Sequence, residues 1–147
     1  MELDRPAEAV VAFEAAMTGG SDAVRRDAAY GQSLAYLRSR LTDEAAVAAA
    51  KMPQPSDRAL QLEEAILGMR AGDLFAKKRY AETLLALDQR ARIAPERRDL
   101  MALRGYAYLG LGRRGDARQV FEALRAAGDS EGQRGLVAVW ASTRRQE

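Results

Sequence analysis

The sequence predicts an all-α protein built from paired amphipathic helices, and three observations predict it. Alanine dominates the 147 residues, glycine (12) and proline (4) are few and clustered, and β-branched and aromatic residues are sparse. Helix propensity summed along the chain is therefore favourable almost throughout. Apolar residues recur at three- and four-residue spacing between boundaries marked by Ser, Thr, Gly or Pro, the period of a helix with one buried face. The clearest stretch is Leu100 to Ala127. Met101, Gly105 and Tyr108 share one face there, Ala117, Val120, Phe121 and Leu124 share another, and a Gly/Arg turn separates them. The small Gly105 and Ala117 let two backbones approach, while Tyr108 and Phe121 fill the space above and below. The stretch is a helical hairpin.

The remaining elements follow in chain order. Pro6 suits the first turn of a helix, and Ala9, Val10, Phe13, Ala16 and Met17 follow at helical spacing before Thr18-Gly19-Gly20. Nothing upstream covers the apolar face Val10, Phe13 and Met17, so the expectation is that another subunit or a preceding part of a longer array does. Ser21 is read as the cap of a helix from Asp22 to about Arg38, and Thr42 as the cap of its partner, which reaches Met52 and stops at Pro53-Gln-Pro55. Ser56 is read as the cap of a longer helix, Asp57 to about Ala76, that passes through Gly72. Lys77-Lys78-Arg79 makes the turn, and Tyr80, Thr83, Leu84, Leu87 and Ile93 lie on the partner helix, which ends before Pro95. The hairpins are thus approximately 22–52, 57–93 and 96–127. A closing helix, 130–145, is read from a Ser130-x-x-Gln133 capping pattern and a stripe of Leu136, Val139 and Trp140. With a polar far side it would end the stack, and burying Trp140 and its neighbours would contribute on the order of 5 kcal/mol.

The hairpins repeat. Ala9, Ala45, Thr83 and Ala117 are separated by 36, 38 and 34 residues, and Ser33/Ala45, Ala71/Thr83 and Gly105/Ala117 form the close pairs. The longer step puts about one extra helical turn at the start of the Asp57 helix. The set Gly105, Ala107, Tyr108, Gly112, Ala117 and Phe121 resembles the tetratricopeptide repeat, a helix-turn-helix unit of about 34 residues. Tyr80 and Pro95 match that family's turn aromatic and closing proline, whereas Arg114, Asp129, Ala49 and Thr83 depart from its pattern. The resemblance implies a right-handed solenoid of about three hairpins, with an extra N-terminal helix and a capping C-terminal one, in a single domain.

Composition and motifs narrow the chemistry. The formal charge is +2, and twenty arginines against three lysines are interleaved with 21 acids. No stripe of one sign points to nucleic acid. There is no cysteine and no histidine, which removes thiol chemistry and the ordinary base of a nucleophilic site. Adjacent carboxylates such as Asp43-Glu44 and Glu63-Glu64 point in different directions on a helix and share neither proton nor metal. Gly110-Leu-Gly112-Arg-Arg-Gly115 matches G-x-G-x-x-G letter for letter, but it follows a helical pattern rather than a strand and reads as a turn. The sequence is thus read as a non-enzyme with no cofactor and no metal. No apolar run reaches the ~18 residues of a membrane-spanning helix, and Met1-Glu-Leu-Asp-Arg-Pro lacks the regions of a signal peptide.

What the resemblance leaves is a groove. In the repeat family the first helix of each hairpin lines a concave surface, which selects Tyr30, Leu34, Leu37 and Arg38, then Phe75 and Ala76, then Asp99, Ala102, Tyr106 and Leu109. This implies a trough for a partner protein's helix or extended peptide. The family's carboxylate clamp of Lys and Asn is missing, since Tyr30, Leu34, Gly68, Gly72, Ala102 and Tyr106 stand at those positions. Tyr-Gly-Gln-Ser-Leu-Ala-Tyr-Leu and Leu-Arg-Gly-Tyr-Ala-Tyr-Leu-Gly-Leu-Gly-Arg also resemble the repeat arrays of bacterial exopolysaccharide-secretion proteins, including those that serve cellulose synthase. That likeness implies a periplasmic scaffold segment. The alternatives are a free-standing cytoplasmic adaptor or secretion chaperone that dimerises through Val10, Phe13 and Met17, and a polysaccharide-binding module in which Tyr30, Phe75 and Tyr106 stack on sugar.

Overall fold

Residues 6–145 are described by a computed structural model, with the side chains of Thr18 and Gly19 left aside; the Met1–Arg5 stretch lies outside the described residues. The all-α expectation holds. The described residues form eight helices and no strand: α1 (Pro6–Gly19), α2 (Asp22–Arg38), α3 (Thr42–Lys51), α4 (Ser56–Ala76), α5 (Tyr80–Ala91), α6 (Arg98–Gly110), α7 (Arg114–Ala126) and α8 (Ser130–Arg144). At 21 residues α4 is longer than α2 or α6, as the 38-residue step requires. The chain groups into two compact units, Met1–Met69 and Arg70–Glu147, divided within α4.

In the first unit α2 packs against both α1 and α3. Its core is Leu37, Ala45, Leu62 and Ile66, with Tyr30, Leu34, Tyr36 and Met69 around it. Ser33 and Ala45, the close pair of this hairpin, have no exposed surface, and Ser33 Oγ donates to the Ala29 carbonyl at 2.9 Å. Ser21 caps α2 as expected, its Oγ accepting from the Val24 amide at 3.3 Å. Thr42 does not cap α3. It is the first helical residue and is buried, and Leu41 takes the cap position without a side-chain bond.

The second unit has two cores. Ala71, Ala86, Leu87 and Leu100 join the end of α4 to α5 and α6. Ala102, Ala117, Phe121, Leu124 and Val139 join α6, α7 and α8. Phe121 is completely buried, and a β-carbon on Gly105 or on Gly135 would collide with its ring. Glycine at both positions is what lets α6 and α8 close on the same aromatic. Thr83 is tolerated at its close contact because its Oγ1 returns to the Arg79 carbonyl at 2.8 Å.

The turns repeat as the helices do. Arg40 (φ 59), Lys78 (φ 61) and Gly112 (φ 75) each adopt the left-handed conformation, 38 and 34 residues apart. The next amide then reaches back five residues: Leu41 to the Tyr36 carbonyl at 2.9 Å, Arg79 to Leu74 at 2.9 Å and Arg113 to Tyr108 at 2.8 Å. This is a Schellman closure, which satisfies the carbonyls left free at the end of α2, α4 and α6. Gly128 (φ 81) and the Asp129–Leu124 bond of 3.0 Å end α7 the same way.

Two expectations for α8 are corrected. Its cap is Asp129, whose carboxylate accepts from the Glu131 amide at 2.8 Å, rather than Ser130. Trp140 is 60% exposed and Val137 55% exposed, so the outer side is not polar and the expected burial of Trp140 does not occur. The buried stripe is Gly132, Gly135 and Val139. A β-carbon at Gly132 would strike the Arg125 backbone. Close approach along these glycines fixes the inward face, and Trp140 lies about 100° round the helix from Val139.

Candidate functional site

The first unit carries an open depression of about 200 Å³, lined by Tyr36, Asp43, Glu44, Val47, Ala48 and Lys51. It is a shallow surface feature, and its charged side chains stand at a rim open to water. Among the described residues no group of three or more acids could hold a metal ion. No described helix is long and apolar enough to cross a membrane. The G-x-G-x-x-G match spans the end of α6 and the start of α7. Gly110 faces the Tyr80 ring, which leaves no room for a β-carbon, and Gly112 supplies the left-handed turn. Helix packing thus accounts for Gly110 and turn geometry for Gly112.

The residues assigned to a groove fall into three groups. In the first unit Leu37 is part of the core, while Tyr30 and Leu34 are half-buried against it. The Tyr30 hydroxyl donates to Gln61 Oε1 of α4 at 2.8 Å, and the Arg58 guanidinium lies 4.7 Å over one face of its ring. Arg38 is exposed. In the second unit Ala102 is in the core, and Leu109 and Tyr106 pack on it. Tyr106 meets Phe121 edge-on at 4.9 Å and donates to Glu131 Oε2 of α8 at 3.1 Å. Burial first, and then that hydrogen bond, raise the Tyr106 phenol above its ordinary value, so it stays a donor. Phe75 meets Tyr80 edge-on at 5.5 Å. Ala76 and Asp99 are exposed, the latter paired with Arg97 at 3.2 Å. Leu37 and Ala102 are therefore packing residues, and both tyrosine hydroxyls are committed to neighbouring helices. Arg38, Ala76 and Asp99 face solvent.

The N-terminal face is also rearranged. Phe13 turns toward α2, where a β-carbon on Gly31 would collide with its ring. Ala9 is buried, while Val10, Phe13 and Met17 are half-buried. The aromatic of the face expected to need an outside partner thus packs on α2, because Gly31 opens a seat for it. The exposed side of α1 is instead centred on Val11, which is 67% exposed.

Two polar ties are not legible in the sequence. Gln32, fully buried, donates through Nε2 to Glu14 Oε1 of α1 at 3.2 Å and accepts at Oε1 from Lys51 Nζ of α3 at 3.1 Å. In the second unit Arg104 bonds Asp88 of α5 at 2.8 Å and Glu96 at 2.9 Å. Burial opposes the Arg104 charge, but its bonds to Glu96 and Asp88 outweigh that and raise its pKa above the ordinary arginine value. Gln32 precedes Ser33 as Arg104 precedes Gly105, and Glu14 follows Ala9 by five residues as Asp88 follows Thr83. Both ties therefore fall at one register position and reach back to the preceding helix. Compared with known proteins, the chain matches no family model, no curated protein and no solved structure.

Proposed function

We propose that this chain is a non-enzymatic, tetratricopeptide-like scaffold whose repeated hairpins hold another protein. The observation that supports this most is the recurrence of one turn, left-handed residue and five-residue closure together, at Arg40, Lys78 and Gly112. A unit repeated at that period buries its faces against its neighbours and leaves a regularly spaced outer surface, the geometry of a platform rather than a reaction centre. The interior is consistent with that use: Gln32 and Arg104 are tied to polar groups of neighbouring elements, and small residues set helix spacing. Protein is preferred over sugar as the ligand because Tyr30 carries Arg58 on one ring face, and Phe75 and Tyr106 meet other aromatics edge-on.

The test is photo-crosslinking in the host cell from Arg38, Ala76 and Asp99, with Gln119 and Ala123, exposed on α7, as controls. One protein captured from the first set and not from the controls supports the reading. Equal capture from both sets, or none, counts against it. Proteins of exopolysaccharide synthesis and export are the first candidates for the captured partner. Chemical-shift changes at Tyr30 and Tyr106 on adding cellulose oligosaccharides would favour the sugar-binding alternative instead.

A further inference from the structure

Among the described residues, the first and last helices each expose one apolar strip, and the strips differ in charge. On α8 the spacing Gln133, Val137, Trp140, Arg144 places all four on one outward stripe. Val137 and Trp140 are 55% and 60% exposed, and the Arg144 guanidinium lies 4.9 Å over the indole. Arg134 stands on the same exposed side, bonded to Glu131 at 2.6 Å. On α1 the outward strip is Val11 and Ala15, with Glu8 and Glu14 on either side of it. That helix contains no lysine or arginine at all. The alanines leave a flat floor beside Val11, and a flat floor is what a protruding indole needs.

We infer that α8 of one copy seats on α1 of a second copy, with Trp140 against Val11 and Ala15 and the arginines beside Glu8 and Glu14. The charges select this pairing over its rivals. Two α8 strips face to face would oppose Arg134 and Arg144 with their own copies, and two α1 strips would oppose carboxylates. The contact is heterologous, so each copy keeps one free strip of each kind and association continues until a ring closes or the chain of copies ends. The inference rests on these two helix faces and not on the partner-holding reading above. Tryptophan and arginine, stacked here, are among the residue types enriched where such contacts draw most of their energy.

The experiment is sedimentation of the purified full chain over a concentration series up to about 1 mM, with Trp140→Ser and Val11→Arg as single variants. Both positions are exposed, so matching circular dichroism shows that the fold is intact. The wild type should self-associate, more weakly as salt rises, and each variant should lower the association constant at least about tenfold. An equimolar mixture of the two variants should form a dimer and nothing larger, because each supplies the strip the other lacks. Trp140 is the single tryptophan, so its emission should also move to the blue as the wild type associates. A wild type that stays monomeric to about 1 mM overturns the inference and leaves the α8 strip to a different protein. A mixture that stays monomeric overturns it too, and a Val11→Arg variant that associates as strongly as the wild type overturns it in favour of α8 paired with itself.

Discussion

The two units meet the same packing problem with different chemistry. In the second, an aromatic is keyed into glycine: Phe121, fully buried, sits between Gly105 and Gly135. In the first, the residue at the matching position is Ala49, and the glycine becomes Ser33. Ala49 packs on the aliphatic cluster of Leu37, Leu62 and Ile66, and the unit adds a polar tie, the buried amide of Gln32 bridging Glu14 and Lys51. An aromatic key draws its strength from area and close fit, so it fails abruptly when its shape changes. A bridged amide draws its strength from directed bonds whose partners are both exposed and can turn to water when it is lost.

The largest effect should follow from Phe121→Ala. Removing a fully enclosed ring leaves a cavity, and a loss of about 3–5 kcal/mol in urea unfolding is expected. The matching change in the first unit, Ala49→Gly, should cost no more than about 1 kcal/mol of helix propensity. Comparable losses at both sites would break the contrast.

The two polar ties come next. Arg104→Leu strands Glu96, only 19% exposed, and should cost about 2 kcal/mol. Gln32→Leu should cost about 1 kcal/mol, since neither Glu14 nor Lys51 is left dry. Raising the salt to about 1 M should shrink the Arg104 loss and leave the Gln32 loss unchanged, because only the first is a contact between full charges. Unfolding curves of the wild type and the two variants at low and high salt measure both differences.

How much of this is legible in the sequence depends on what each residue has to do. Helix boundaries are legible because turn chemistry is local: the Ser21 cap, the Gly112 turn and the prolines at 53, 55 and 95 act within a few residues. The facing of a helix is harder. For α8 the hydrophobic stripe of Leu136, Val139 and Trp140 is inward only in part: Val139 is in the core and Leu136 packs on it, but Trp140 lies about 100° round the helix from Val139. The contact is made by Gly132 and Gly135, which carry no hydrophobic signal. Phe13 misleads for a related reason, since its seat is Gly31 in the following helix. Of the groove residues, Leu37 and Ala102 follow from register alone, and register does not record which neighbours fill the space above them. Gln32 and Arg104 look like surface residues in the sequence, because a buried polar side chain is recognisable only once its partners are located.

The smallest expected effect tests the repetition itself. Arg40 and Lys78 hold the left-handed position that Gly112 and Gly128 hold elsewhere. A side chain there costs about 1–2 kcal/mol against the β-carbon's preference. Glycine would remove that cost but widen the unfolded chain's freedom by about 0.5–1 kcal/mol. The net expectation is a gain of about 0.5–1 kcal/mol from Arg40→Gly in the first unit and from Lys78→Gly in the second. Thermal melts of the single and double variants measure it, and because the two turns share no partners the gains should add. Equal gains would mean that the units, so different at their centres, are closed by one and the same turn. A gain at one site alone would show that φ is repeated but the forces holding it are not, and would weaken the case for a repeat more than any difference between Phe121 and Gln32.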